Sequence, residues 1–295
     1  NGFSDVVTTI NPDLIVVHGD RLEPLAAAIV GSFRNILVSH IEGGELSGTI
    51  DELIRHSISK LAQIHFVSNK KAKKRLIQMG EYPESIHIIG SPDIDLMFSD
   101  SLPSLQEAKD KYDILYENYS ICLFHPVTTE IKLIRNQVEI LKQCILLSKK
   151  NYIIIYPNND LGSKSIIDCY TSINSKKVKI IPSIRFEYFL VFLKNAEFII
   201  GNSSAGIREA PYYSLPTINL GSRQKNRDIN NQIYNLDFKL DEILLKIKKV
   251  KKNKKNKSEH NFGEGRSSEK FIQILENGNL WNTNTQKQFK EIKII

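Results

Sequence analysis

Short runs of apolar residues, many of them β-branched, recur along this chain and constrain its fold more than any other feature. In the first part of the chain these runs predict strands over residues 14–17, 36–39, 64–67 and 86–89. The amphipathic stretches between them predict helices over residues 21–32, 50–61 and 70–79. Strands that are apolar at successive positions are buried on both faces, which is typical of a parallel sheet covered by helices.

The same alternation starts again after a turn at Gly90-Ser91-Pro92 and a polar stretch at 99–104, which together indicate a domain boundary. Further strands are predicted over residues 120–124, 152–156, 178–181, 198–200 and 217–220. Further helices are predicted over residues 130–149, 164–174, 185–195 and 206–210. We therefore predict an α/β protein of two doubly wound, Rossmann-like domains, 1–95 and 96–295, which face each other across a cleft. The last helix is expected to pack back on the first domain.

The formal net charge of +7 comes from one lysine-rich run and not from the chain as a whole. Of the 40 Lys and Arg residues, eight lie within residues 246–257, which leaves 32 basic residues against 33 acidic ones. Such a run is typical of a solvated loop, and no aromatic residue interleaves with it to stack on bases. The sequence therefore gives little support to a nucleic-acid partner.

Cysteine usage and hydropathy exclude several other classes of protein. The three cysteines, Cys122, Cys144 and Cys169, show no CxxC spacing, so they predict buried thiols and neither a disulfide framework nor a zinc site. No apolar run approaches the roughly 20 residues that span a bilayer, and the chain does not open with the basic and apolar regions of a signal peptide. We expect a cytoplasmic protein that has no membrane partner.

Acidic side chains follow the first two predicted strands, at the end of the sheet where such folds place their ligands. Asp20 lies in the sequence HGDR after the first strand, and Glu42 lies in HIEGGE after the second. Asp51 lies at the start of the next predicted helix. Carboxylates that converge raise one another's pKa, and such a group suits proton abstraction from carbon followed by proton return.

Two other interpretations of these residues stay open. The possible metal ligands are His18, Asp20, His40, Glu42 and His56. They form neither an HxxxH nor an HExxH spacing, and most of the histidines can equally be structural. Asp51 and Arg55 are four positions apart, so they can also form an ordinary helix-stabilising ion pair.

The second half contains a strand, a turn of small residues and a helix start, in the sequence FIIGNSSAGIRE at 198–209. The N–H groups and positive dipole end of a helix start attract phosphate, and the hydroxyls of Ser203 and Ser204 add donors. The alternative is ordinary helix capping by one of these serines. Glu209 is placed to accept the hydroxyls of a ribose, and Arg223 is a candidate phosphate partner. The chain has no Walker lysine loop and no GxGxxG, which excludes the usual NTPase and dinucleotide signatures.

Four motifs, in this order along the chain, resemble those of the UDP-N-acetylglucosamine 2-epimerase family. They are HGDR at 18–21, HIEGGELSGTIDELIRHSISKLA at 40–62, HPVTT at 125–129 and GNSSAGIREAP at 201–211. Their wording is similar to the hydrolysing branch, which makes N-acetylmannosamine for sialic acid synthesis. The non-hydrolysing branch instead reads HVEAGLR in the second motif.

The resemblance implies a two-domain, glycosyltransferase-B-like fold that binds UDP-N-acetylglucosamine and UDP, with no nicotinamide or metal cofactor. It also implies a homodimer or homotetramer, and a further segment ahead of Asn1 that contacts the nucleotide. The residues that match the family's catalytic set are Asp20, Glu42, Asp51, Arg55 and His125, the last near the diphosphate. The residues that match its substrate-binding set are Arg21, Asn158, Ser203, Ser204, Glu209 and Arg223.

Several functions remain alternatives to a hydrolysing 2-epimerase. Within the family they are the non-hydrolysing epimerase and a hydrolysing enzyme that acts on a UDP-diacetamidobacillosamine. A glycosyltransferase of similar fold would leave the carboxylates of the first domain unexplained. A non-catalytic nucleotide-sugar-binding fragment is the alternative from another class of protein.

Overall fold

The structure, a computed structural model, describes residues 2–47, 50–224, 231–252 and 261–291. The chain divides into two compact units. The first unit contains residues 2–46, 50–99 and 261–291, and the second contains Ser47, 100–224 and 231–252. The sequence analysis assigned all of 96–295 to the second domain, whereas residues 261–291 belong to the first unit.

Residues 2–99 form helices and parallel strands in alternation. The helices are α1 (Gly2–Ile10), α2 (Leu22–Phe33), α3 (Ile50–Leu61), α4 (Lys70–Gln78) and α5 (Pro92–Met97). The strands are β1 (Leu14–His18), β2 (Leu37–Ile41), β3 (Ile64–Val67) and β4 (Ile86–Ile88). All four strands pair in parallel in the order β1-β2-β3-β4, so the predicted parallel sheet is confirmed. Helices α1 and α5 were not predicted.

Residues 100–252 repeat the pattern around a larger sheet. The helices are α6 (Leu105–Tyr112), α7 (Ile134–Leu147), α8 (Ser163–Thr171), α9 (Phe186–Asn195), α10 (Ala205–Arg208) and α11 (Leu240–Lys249). The strands are β5 (Ser120–Leu123), β6 (Tyr152–Ile155), β7 (Val178–Ile181), β8 (Ile199–Gly201), β9 (Thr217–Leu220) and β10 (Ile233–Leu236). These six strands lie in the order β10-β9-β8-β5-β6-β7 and pair in parallel.

Two predicted helices of this unit have different boundaries. The helix predicted over 130–149 is a 3-10 helix, Thr128–Leu133, followed by α7, because the backbone of Glu130 has non-helical dihedral angles. The helix predicted over 206–210 begins one residue earlier and ends as the short α10. The lysine-rich run starts in the last turn of α11, and its residues 253–257 lie outside the described part of the chain.

The segment 261–291 adds the helix α12 (Ser267–Glu276) to the first unit. Asp95 on α5 caps the N-terminus of this helix, since its carboxylate accepts hydrogen bonds of 2.8 Å from the backbone N–H groups of Ser267 and Ser268. One turn later the ring of Phe271 packs edge-on against Phe66 of β3, with ring centroids 4.7 Å apart. Long-range contacts of this kind explain why sequence periodicity did not assign the segment to the first domain.

Each unit has its own apolar core, and the sheets lie within these cores. In the first unit every residue of β3 is buried, as is nearly all of β2. In the second unit β5, β6, β8 and β9 contribute to one cluster with α7, α8 and α11. The polar residues that follow these strands lie at the carboxyl ends of the sheets. No described helix has both the length and the apolar character required to cross a bilayer.

Candidate functional site

The carboxyl ends of β1 and β2 bring two of the predicted acidic residues onto neighbouring turns. His18, the last residue of β1, pairs in register with Ile41, the last residue of β2. Asp20 therefore follows one strand by two residues and Glu42 follows the next strand by one. The turn after β1 needs Gly19, whose φ is +81°, and Glu42 itself has a φ of +68°. A non-glycine residue in this left-handed region carries backbone strain, and such residues cluster at functional sites.

Asp20 is held by a buried arginine from α3. The guanidinium Nη2 of Arg55 donates to Asp20 Oδ2, and its Nη1 donates to the backbone oxygen of Glu45 at 2.9 Å. Arg55 is only 3% exposed, so this pair fixes the orientation of the carboxylate from inside the unit. Helical spacing offered Asp51 as a partner of Arg55, and the structure shows that the guanidinium reaches the turn after β1, a contact that this spacing does not predict.

Glu42 is held from two sides. Its Oε2 lies 3.3 Å from Nε2 of His18, whose side chain is 44% exposed. Its Oε1 accepts a hydrogen bond of 2.5 Å from the hydroxyl of Ser91, a residue that follows β4. Glu42 is thus a largely buried carboxylate that has one oxygen on the side of an accessible histidine. No sequence motif marks Ser91, which was noted only as part of the turn at Gly90-Ser91-Pro92.

His40 supports the same turns from within β2. It is fully buried, and burial lowers its pKa to about 3, so the ring is neutral. Its Nε2 lies 2.9 Å from the carbonyl oxygen of Gly19, which can only accept, so Nε2 carries the proton. Nδ1 then accepts from the hydroxyl of Ser59 at 3.0 Å. His40, a possible metal ligand by sequence, is engaged through both ring nitrogens.

The other predicted residues of this unit lie nearby on different elements. Asp51 is in the first turn of α3, one turn before Arg55, and is half-buried. Arg21 immediately precedes α2 and is exposed. Among the residues that the structure describes, no group of three or more His, Cys, Asp or Glu side chains is placed to hold a metal ion.

In the second unit Asn202 joins the loops that follow β5 and β8. Its side-chain oxygen accepts from the backbone N–H of His125 at 2.7 Å, and its side-chain nitrogen donates to the His125 carbonyl at 2.9 Å. The preceding Gly201 has a φ of +137°, and a Cβ there would lie 2.1 Å from the backbone oxygen of Leu123. Only glycine fits this close approach of two strand ends. Sequence reasoning quoted Asn202 within its motif but assigned it no function.

His125 and Asn158 are brought together, as the resemblance implied for residues near one ligand. The backbone N–H of Asn158 donates to Nδ1 of His125 at 3.1 Å. A neutral His125 therefore carries its proton on Nε2, which makes that atom a hydrogen-bond donor. This bond orients a largely buried imidazole at the carboxyl end of β5.

Two further polar residues converge on the carbonyl of Asn202. Arg223 Nη1 donates to it at 3.3 Å, and Gln224 Nε2 donates to it at 2.8 Å. Both side chains are buried, and so is Glu209. The sequence predicted Arg223 and Glu209 as ligand residues but missed Gln224, which no motif marks.

The small-residue turn at Ser203 and Ser204 is half-buried and precedes α10, a helix of only four residues. The Ser204 side chain does not cap this helix, while the hydroxyl of Ser203 accepts from the Ala205 N–H at 3.3 Å. The backbone N–H groups of Ser203 and Ser204 bond to no acceptor among the described residues. The turn therefore offers backbone donors that suit an anion.

Comparison with known proteins supplies the family context for these residues. A family model described as UDP-N-acetylglucosamine 2-epimerase matches residues 1–276. The UDP-N-acetylglucosamine 2-epimerase of Neisseria meningitidis serogroup B is 49% identical over 288 residues, which are 97% of this chain and 76% of that protein. The hydrolyzing UDP-N,N'-diacetylbacillosamine 2-epimerase of Legionella pneumophila is 36% identical over 285 residues, which are 93% of this chain and 73% of that protein.

A solved structure shows the same fold. The Methanocaldococcus jannaschii UDP-GlcNAc 2-epimerase, crystallised in complex with UDP-GlcNAc and UDP, superposes with a TM-score of 0.79 at 24% sequence identity. The match covers 94% of this chain and 79% of that chain. The predicted pair of parallel-sheet α/β domains is confirmed by this likeness.

Proposed function

This chain belongs to the UDP-N-acetylglucosamine 2-epimerase family, and on that premise we propose that it is a hydrolysing 2-epimerase. It would convert UDP-N-acetylglucosamine and water to N-acetylmannosamine and UDP, the reaction that feeds sialic acid synthesis. The hydrolysing reaction is supported by the motif wording HIEGGE and by the Legionella relative, whose name states that reaction.

The proposed reaction has two stages. In the first, a carboxylate takes the proton from C2 of the sugar, the electrons of that bond form the C1–C2 double bond, and the C1–O bond breaks with its electron pair leaving on UDP. In the second, water adds its hydroxyl at C1 of the resulting 2-acetamidoglucal while a proton returns to C2 from the opposite face. Each stage needs a positioned acid or base, and such a group typically contributes about 10²–10⁴-fold in rate.

The observation that carries the proposal is the paired placement of Asp20 and Glu42. They follow adjacent parallel strands, and each is fixed by its own partners, Asp20 by Arg55 and Glu42 by His18 and Ser91. Two oriented carboxylates suit one proton abstraction and one proton return. We include Asp51 in the proposed acid-base set because it lies one turn before Arg55 on α3.

We assign the nucleotide to the second unit. The backbone N–H groups at Ser203 and Ser204 and the guanidinium of Arg223 are donors for the diphosphate, and Nε2 of His125 can stabilise the departing phosphate oxygen. Glu209 is proposed to accept the ribose hydroxyls, and Asn158 and Arg21 to contact the substrate.

Replacing Ser203 and Ser204 together with Ala is expected to weaken UDP binding about 5- to 30-fold, since the two lost hydroxyl donors together contribute about 1–2 kcal/mol. Isothermal titration calorimetry with UDP measures the affinity. The turnover number at saturating substrate is expected to fall less than the affinity does. An unchanged dissociation constant would contradict a contribution of the two hydroxyls to diphosphate binding, since the backbone N–H donors are the same in the variant.

The hydrolysing reaction is tested by release of free UDP. A coupled assay with UDP-N-acetylglucosamine as the sole substrate should show one UDP formed for each sugar converted. A non-hydrolysing epimerase would instead leave UDP bound to the sugar, and the assay would stay silent while the nucleotide sugar changed its configuration at C2.

A second candidate substrate follows from the Legionella relative. At 36% identity it shares the hydrolysing reaction by name but acts, by the same name, on UDP-N,N'-diacetylbacillosamine. We favour UDP-N-acetylglucosamine because the Neisseria protein named for it is 49% identical to this chain. Competition between the two nucleotide sugars in the UDP-release assay decides which has the larger kcat/KM.

The assembly and location are proposed on the family resemblance. We propose a homodimer or homotetramer in the cytoplasm, and light scattering coupled to size-exclusion chromatography measures the mass of the assembly.

A further inference from the structure

Ser91 is a buried serine whose hydroxyl binds a carboxylate and does not cap a helix. It occupies the position that precedes α5, where a serine side chain ordinarily accepts a hydrogen bond from the helix backbone. Here the side chain makes no such capping bond. Its Oγ lies instead 2.5 Å from Oε1 of Glu42, and the residue is 0% exposed. An ionised carboxylate can only accept, so the hydroxyl donates its proton to Glu42.

The backbone of Ser91 is fixed by the returning segment of the chain. Its N–H donates to the carbonyl oxygen of Phe262 at 2.7 Å. Beside this bond two glycines lie in contact, since a Cβ on Gly263 would be 2.9 Å from the Cα of Gly90. Gly90 has a φ of +96° and Gly263 a φ of +119°, so both positions favour glycine in conformation as well as in space. Residues 262–263 therefore set where the Ser91 hydroxyl lies.

The two oxygens of Glu42 consequently differ in their surroundings. Oε1 is bound by a fully buried hydroxyl, whereas Oε2 lies 3.3 Å from Nε2 of the half-exposed His18. Oε2 is therefore the oxygen through which Glu42 can exchange a proton with substrate or solvent.

We propose that Ser91, held in place by residues 262–263, is a positioning residue for Glu42. It binds Oε1 and leaves Oε2, beside His18, as the oxygen that takes and returns the proton. This inference rests on the proposed function and deepens it, because it names the groups that orient one of the two carboxylates.

The charge state of Glu42 provides a test that needs no turnover. The other titratable or charged groups on its own turn and the turn after β1, on the strands β1 to β3 and on α3 and α5 are His18, Asp20, His40, Glu45, Asp51, Glu52, Arg55, His56, Lys60, His65, Asp93 and Asp95. Loss of the Ser91 donor removes a hydrogen bond that favours the ionised form, so the carboxyl pKa in Ser91→Ala should rise by about one pH unit. Carbon-13 NMR of glutamate-labelled full chain measures it, with the Glu42 signal identified by its absence in Glu42→Gln.

Ser39→Ala is the matched control. Ser39 is also 0% exposed and lies on β2, and its Oγ has no hydrogen-bond partner among the described residues. Its replacement should leave the Glu42 titration unchanged. A Glu42 titration in Ser91→Ala that equals those of Ser39→Ala and wild type would overturn the proposal. If Ser91→Ala does not fold, Ser91→Cys must give a smaller rise in the same direction, since a thiol is a weaker donor.

Kinetics supply the second readout. With UDP-N-acetylglucosamine, Ser91→Ala should lower kcat about tenfold with little change in KM, and the acid limb of the kcat/KM profile should move to higher pH. A uniform loss across the pH range would indicate a merely structural role and contradict the proposal. If wild type fails to turn over this substrate, the proposed function fails, while the NMR titration still decides the role of Ser91.

The contribution of the returning segment is tested with two glycines. Gly263→Ala should reproduce the rise in the Glu42 pKa in part, because its Cβ must displace Gly90 and with it Ser91. Gly278→Ala is the control, since Gly278 also has a positive φ, +65°, but nothing lies within 4 Å of its added Cβ. Equal Glu42 titrations in the two variants would contradict the part of the proposal in which residues 262–263 hold Ser91 in place.

Discussion

Replacing Glu42 with Gln is expected to lower kcat for UDP-N-acetylglucosamine by about 10²–10⁴-fold while UDP still binds. The amide keeps the shape of the side chain and can still accept from Ser91, but it cannot take a proton. Asp20→Asn is expected to act in the same range, because it removes the second carboxylate while Arg55 remains buried. Steady-state kinetics and UDP calorimetry on the same preparations separate the loss of chemistry from a loss of binding.

Glu52→Gln is the matched control for these variants. Glu52 lies in the first turn of α3, and its carboxylate pairs with His56 at 3.7 Å on the same helix. The same change from carboxylate to amide should leave kcat within about twofold there. A Glu42→Gln enzyme that retained a near-normal rate would remove Glu42 from the proton transfers.

The second prediction concerns Glu81, a buried carboxylate that contacts both Lys287 and His65 of β3. Glu81 is 1% exposed and accepts from His65 Nε2 at 3.1 Å, from Lys60 Nζ at 2.8 Å and from Lys287 Nζ at 2.5 Å. Burial alone would raise the pKa of Glu81, but the hydrogen bond from His65 and the charge of Lys287 outweigh it and lower this pKa to about 2. Burial also lowers the pKa of His65, which donates to Glu81 through Nε2.

We expect Glu81→Gln to lower the free energy of unfolding of the first unit by about 3–5 kcal/mol at neutral pH, because it leaves Lys287 without its counter-charge. The Glu81 contribution is fully present above its ordinary pKa of 4.5 and is lost as the pH falls towards about 2. The difference between wild type and Glu81→Gln should therefore shrink on acidification.

Tryptophan fluorescence follows this transition in denaturant. The chain has one tryptophan, Trp281, and it lies in the first unit. Glu269→Gln, which removes an exposed ion pair with Arg266 on the same unit, should leave the midpoint unchanged. An equal, small effect of both replacements would show that the buried cluster contributes little stability.

The strands and most helices were predictable because their signals are local. The apolar runs predicted β1, β3, β7 and β9 to within a residue. For β3 and β9 every residue is buried, and a strand buried on both faces carries a continuous apolar signal. The last helix was expected to pack on the first domain, but the bounds of α12 were not predicted, because its position depends on contacts from Asp95 and Phe66, which are far away in sequence.

The candidate site was predictable where residues follow a strand directly. Asp20 and Glu42 were identified from the sequence, and the structure places them on adjacent turns. The contact between Arg55 and Asp20 was not predicted from spacing, because the guanidinium reaches 35 positions back along the chain. Ser91 and Gln224 were not identified by motif reasoning, since their contacts with Glu42 and Asn202 join loops that are far apart in sequence.

We propose that this protein removes the C2 proton of the sugar and releases the sugar as a free product. Proton NMR of UDP-N-acetylglucosamine incubated with the full chain in D2O distinguishes this reaction from its alternatives. We expect free N-acetylmannosamine that carries deuterium at C2, together with UDP. Intact UDP-N-acetylmannosamine as the product, or free sugar that retains its C2 proton, would contradict it.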